Sequence, residues 1–162
     1  MSRDPALCRA FVYYAKAFLK EYPQIEHTWS IEADEDHCIL NIPKKNDRGF
    51  DITVEVCADE INLFCEGFHD HYSIEGTPDD FANYFVGFLY NLLSPVMRIS
   101  EVCSGGVPYK WILESRQQGE WISDSITGLI FYNYFGKRSK RIYQNESLKE
   151  REDAIIPETD EA

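Results

Sequence analysis

Apolar residues recur every three to four positions near the start of the chain, where Leu7, Phe11, Tyr14 and Phe18 fall on one helical face. Asp4-Pro5 supplies a start signal, because Asp caps free amides and Pro at the first helical position gives up a donor that had no partner. Tyr22-Pro23 stops the helix. A second helix has the same grammar: Thr77 as cap, Pro78 first, Asp79 and Asp80 at the positive end of the dipole, then Phe81, Phe85, Phe88 and Leu92 on one stripe before Ser94-Pro95. Gly87 lies inside it, which predicts a close packing approach at that point.

Between the helices the period drops to two, the mark of half-buried strands. Phe50, Ile52, Val54 and Val56 alternate with Asp51, Thr53 and Glu55. After the turn Ala58-Asp59-Glu60, Ile61, Leu63 and Cys65 alternate with Asn62, Phe64 and Glu66. The pattern predicts a hairpin, preceded by strands at Thr28 to Ile31 and His37 to Ile42. One face of this hairpin is aliphatic. The other displays Asp51, Glu55 and Glu66 around Phe64.

Beyond the second helix, Val96 to Cys103 and Tyr109 to Ser115 form a predicted antiparallel pair, with Gly105-Gly106 supplying the positive φ of a tight turn. Gln117-Gln118-Gly119 makes a further turn and Glu120 to Ser123 a short strand. Leu129 to Phe135 is an aromatic run expected to be a buried strand, with Tyr132 and Tyr134 opposite Phe131 and Phe135. Lys137 to Tyr143 reads as a basic turn or edge. From Glu146 onward the polar, acidic composition predicts a frayed or disordered tail, leaving 1–145 as one domain. Runs of strands rather than βαβ alternation favour an α+β fold: two layers, with two helices on a mainly antiparallel sheet of about six or seven strands, in the order α-β-β-β-β-α-β-β-β.

Charge sharpens this picture. From Gly49 to Met97 the chain carries nine carboxylates and no lysine or arginine, although 16 cations occur elsewhere. A one-signed surface concentrates oppositely charged partners. The net charge of −12 argues against non-specific binding of the whole domain to nucleic acid or membrane. The five cysteines (Cys8, Cys38, Cys57, Cys65, Cys103) have no CxxC spacing, and Cys57 and Cys65 are off-pair in the hairpin, so reduced thiols are expected. No leader-like apolar stretch opens the chain, and nowhere do roughly 18 apolar residues run together. The cytoplasm is the expected compartment.

Candidate chemistry is sparse. His69-Asp70-His71 would put two imidazoles on one face of an extended segment, where they could share a metal with His27, His37 or a carboxylate; the competing reading is two solvated histidines in a loop before the second helix. The hairpin carboxylates alternate outward, whereas acid/base work needs one in an apolar pocket. Ser104-Gly105-Gly106 leads into a strand, not the helix a phosphate cradle needs. No serine lies in a G-x-S-x-G, and His37 and Cys38 face opposite sides of a strand. Lys137, Arg138, Lys140 and Arg141 beside Tyr134, Phe135 and Tyr143 offer phosphate contact plus stacking, against which stands the charge of the rest of the chain.

In size, acidity and lack of catalytic motifs the chain is similar to bacterial immunity proteins that neutralise nuclease toxins. It also resembles acidic type III secretion chaperones in its order of helix, strands, helix, strands, departing from them where an aromatic run and basic segment replace a third helix. Both resemblances imply a non-enzymatic protein that docks a cationic partner such as a toxin or secreted effector, without a cofactor. Asp51, Glu55, Asp59, Glu66 and Phe64 are the expected docking residues, since charge complementarity accelerates encounter and a central aromatic adds desolvated contact.

Overall fold

The computed structural model describes residues 5–151. Among them the order is α1 (Ala6–Glu21), β1 (Thr28–Ile31), β2 (His37–Ile42), β3 (Ile52–Cys57), β4 (Glu60–Cys65), β5 (Phe68–Ser73), α2 (Pro78–Leu92), β6 (Met97–Ser104), β7 (Val107–Gln117), β8 (Glu120–Gly128) and β9 (Arg138–Tyr143). The α+β class and antiparallel pairing are as expected. The strands number nine, however, and divide into a five-stranded meander β1-β2-β3-β4-β5 and a four-stranded sheet ordered β8-β7-β6-β9.

Both helices form where their apolar stripes predict. Leu7, Phe11 and Phe18 of α1 are buried, as are Phe81, Phe85 and Leu92 of α2. Thr77 Oγ1 accepts Asp80 N–H at 3.2 Å, satisfying one free amide of α2. The Asp4 cap lies outside the described residues. Gly87 does not mark a close approach, because a Cβ built there meets nothing within 4 Å. The helices meet through aromatic edges, with ring centroids of Phe11 and Phe85 6.2 Å apart and of Phe18 and Tyr90 also 6.2 Å apart.

Alternation fixes which side of the meander faces this core. Leu40, Val54 and Leu63 lie side by side in register, as do Cys38, Val56 and Ile61, and Ile42, Ile52 and Cys65, all buried. Burying each such aliphatic side chain contributes roughly 1.5–3 kcal/mol. A one-residue slip would turn the whole set into water, so the register is strongly specified.

The sheets part company at β5. Its outer edge meets side chains of β8 rather than a backbone ladder: Thr127 Oγ1 accepts His69 N–H at 3.1 Å and donates to His69 O at 2.8 Å, while Ser125 Oγ donates to Asp70 Oδ2 at 2.7 Å. At the β4–β5 turn the indole of Trp111 lies where only glycine leaves room, since a Cβ on Gly67 would sit 2.2–2.6 Å from three ring atoms.

Three sequence expectations need correction. His69 and His71 lie within strand β5, not in a loop. Strand β8 continues to Gly128, with a register shift between Leu113 and Glu114 absorbing the polar stretch that reads as a strand end. The run 129–135 is no buried strand: Leu129, Ile130, Phe131, Tyr134 and Phe135 are all exposed. Its pairing slot beside β6 is taken by β9, and Asn133 turns the chain back, accepting Phe135 N–H on its side chain at 3.1 Å.

All five cysteines are free thiols. Cys8 of α1 and Cys38 of β2 are both buried, and the influence of each thiol on the other lowers the pKa of Cys8 and raises that of Cys38. Past β9, Asn145 clamps two backbones, accepting Phe50 N–H (3.0 Å) and donating to Phe50 O (3.1 Å) and Leu92 O (3.2 Å). Leu148 is buried, with its N–H on Leu93 O at 3.0 Å. The rest of the predicted tail, 152–162, lies outside the described residues.

Candidate functional site

The helices cover one side of the meander and leave the other to water. Register builds that open side in rows: Ser30, Ile39, Glu55, Asn62 and His71; then Thr28, Asn41, Thr53, Phe64 and His69; with His37, Cys57, Glu60 and Ser73 toward the hairpin end. None of these five strands carries a lysine or arginine. Phe64 is 42% exposed and stacks on His69 with ring centroids 6.3 Å apart.

Of the predicted docking residues, Glu55 and Phe64 lie in these rows, while Asp51 and Glu66 are exposed just beyond the terminal Ile52–Cys65 pair, both beside Lys44. Asp59 is exposed at the tip of the β3–β4 hairpin, roughly 20 Å along the strand from Asp51. Glu60, assigned to the turn from sequence, joins the face instead by pairing with Cys57. The signal for it was present, since a two-residue turn at Ala58-Asp59 places Glu60 in register, and Ala58 adopts a positive φ of 56° to make that turn.

Several of these carboxylates have local partners. Lys44 N–H donates to Asp51 Oδ1 at 2.7 Å, and Lys44 Nζ lies 3.9 Å from Glu66. His37 Nε2 lies 2.8 Å from Glu55 Oε1 and its Nδ1 3.2 Å from Glu32. The hydrogen bond to Glu55 holds the His37 pKa above its ordinary value against partial burial, with the Glu32 charge adding to it. Protonation thus tunes the face: at lower pH an imidazolium balances Glu55, and at higher pH that charge is uncompensated.

His69 and His71 do share a side of β5, with ring centroids 6.5 Å apart and Glu60 3.9 Å from His71. Among the described residues the compact trio of possible metal ligands is a different one, Glu32, Asp34 and Asp36 in the β1–β2 turn. The basic run becomes the edge strand β9. Arg138 is engaged internally, donating to the carbonyls of Asn133 (3.1 Å), Tyr134 (3.3 Å) and Gly136 (3.3 Å), and Arg141 pairs with Glu101 at 3.4 Å. Lys137 and Lys140 remain exposed.

Sequence reasoning gave no role to Glu101, a buried carboxylate on the core side of β6. It accepts Trp111 Nε1–H at 2.9 Å, Tyr143 O–H at 3.3 Å and Arg141 Nη1–H at 3.4 Å. These three donors come from neighbouring strands, with the Cys103 thiol of β6 itself 4.0 Å from Glu101 Oε1, so the cross-strand register is what reveals most of the cluster. A cleft of about 320 Å³ opens beside Lys45, Arg48, Gln144 and Glu146, and its lining holds no serine, cysteine or histidine. No helix among the described residues is long and apolar enough to cross a membrane.

No protein-family model matches the chain, no curated protein is detectably similar to it, and no solved structure matches it.

Proposed function

We propose that this chain is a non-enzymatic binding protein that docks a cationic protein segment on the open face of the five-stranded sheet, acting as an inhibitor of the immunity type or as a chaperone. One observation carries this reading: a water-facing sheet side holding Glu55 and Glu60, with exposed Asp51 and Glu66 at its end, no lysine or arginine on its strands and a half-exposed Phe64 among these carboxylates. Carboxylates give the approach its speed and direction, and Phe64 gives a desolvated anchor.

The test separates the face from net charge. Asp51→Lys combined with Glu66→Lys is compared with Glu21→Lys combined with Glu26→Lys, which makes the same charge change at exposed sites outside the sheet. With a decalysine peptide as probe, titrated calorimetrically at low salt, the face variant should lose about tenfold in affinity, since each reversed contact is worth about 1 kcal/mol or more in water. The control should lose about threefold or less. Equal losses in the two variants would overturn the assignment.

A further inference from the structure

A second surface, opposite in character, stands at the end of the four-stranded sheet where the β6–β7 turn meets the β8–β9 connection. Segments 102–113 and 125–145 contain no aspartate or glutamate and five cations, Lys110, Lys137, Arg138, Lys140 and Arg141. They also hold the three most exposed large hydrophobic side chains among the described residues, Phe135 at 100%, Phe131 at 88% and Ile130 at 80%, with Val107 exposed beside them. Exposed apolar clusters of this kind mark interaction sites.

This tip is rigidly held. Tyr132 stacks on Tyr109 with centroids 4.0 Å apart, and the Arg138 guanidinium lies over both rings at 5.1 and 5.2 Å. Gly105 N–H donates to Lys137 O at 3.0 Å, and Ser104 Oγ is bonded to Asn133 O and Arg138. A Cβ on Gly136 would sit 2.4 Å from Ser104 Oγ and 2.6 Å from Gly105 N, so the two turns touch backbone to backbone. Phe131 and Phe135 are thus presented on a braced scaffold, and little ordering remains to oppose binding. Lys137 and Lys140 have no ion-pair partner among the described residues.

We propose that this tip seats the protein on an anionic lipid surface, with Phe131, Phe135 and Ile130 entering the acyl boundary while Lys137 and Lys140 meet the headgroups. An apolar projection edged by cations is the chemistry of interfacial anchors. The aliphatic members, Ile130 and Val107, have no π face for base stacking, which disfavours single-stranded nucleic acid, and a fluid interface needs no matching pocket. The chain's net charge of −12 does not forbid this, because exposed charges farther away than the Debye length of about 8 Å are largely screened.

The full chain should co-sediment with vesicles containing about one-third phosphatidylserine in phosphatidylcholine, and far less with phosphatidylcholine alone. Phe131→Ser with Phe135→Ser should weaken partitioning about tenfold or more, since each ring gives up its transfer from water. Lys137→Glu with Lys140→Glu should abolish the preference for anionic vesicles. Because these side chains are exposed, the variants keep the native circular dichroism; a Phe131→Trp reporter adds an independent readout, its emission shifting to the blue only on anionic vesicles. Absence of sedimentation and of the shift, binding unchanged in the double serine variant, or a Phe-dependent affinity for single-stranded DNA or for a second copy with none for vesicles would each overturn the proposal.

Discussion

Replacing Glu101 with alanine tests whether the four-stranded sheet is locked by a buried carboxylate. The substitution removes the acceptor for Trp111 Nε1–H and Tyr143 O–H, both partly buried. An unsatisfied buried donor costs about 1–3 kcal/mol, and partial exposure places each of these near the lower end. Arg141 is more than half exposed and adds little. The lost carboxylate also sheds its own desolvation cost, which offsets part of the penalty. The net expectation is a destabilisation of about 1–2 kcal/mol. With a urea slope of about 2 kcal/mol/M for a chain of this size, the midpoint should fall by about 0.5–1 M. Urea titration followed by tryptophan fluorescence and far-ultraviolet circular dichroism reads this directly. Glu101→Gln keeps one acceptor oxygen and should lose less than half as much. A double-mutant cycle pairing Glu101→Ala with Trp111→Phe should return a coupling of about 1 kcal/mol. If the alanine variant unfolds within about 0.5 kcal/mol of the parent, or the cycle shows no coupling, the network does not hold the sheet.

Gly67→Ala should destabilise by about 1–3 kcal/mol, because the new methyl collides with the Trp111 ring and displaces its N–H from Glu101; pairing it with Trp111→Leu should recover much of the loss in the same titration, and no recovery would assign the cost elsewhere. The pKa of His37 is raised in the folded protein above its ordinary 6.5, first by the Glu55 hydrogen bond and then by Glu32, so its stabilising contribution is complete below that value and is lost as pH climbs through the native pKa. Melting temperatures taken from pH 6 to pH 8 should therefore fall more in the parent than in His37→Gln, and parallel profiles would remove the imidazolium from the account.

The elements with a strong period were readable from the chain: both helices, the β3–β4 hairpin and the glycine turn at Gly105-Gly106, each of which follows from local spacing or backbone freedom. The side of the hairpin on which Glu55 and Phe64 emerge was readable too, because alternation along β3 and β4 sets it. What escaped depends on partners distant in sequence. Phe68 to Ser73 alternates like a strand, but its histidines and aspartate read as a loop until β4 pairs with it. Leu129 to Phe135 has the composition of a core strand, and only the occupation of the β6 edge by β9 leaves it outside. Periodicity cannot distinguish a buried apolar run from an exposed one when no polar alternation marks a face.

The Thr127 bracket on His69 has a bearing on self-association. An unpaired edge strand is a template for other chains. Here one threonine hydroxyl satisfies both polar groups of the His69 backbone, so a foreign strand approaching β5 finds that rung already filled. Of the other margins, β1 is only four residues long and β9 is studded with like charges, so at three of the four sheet edges stacking of identical copies is opposed by a different means.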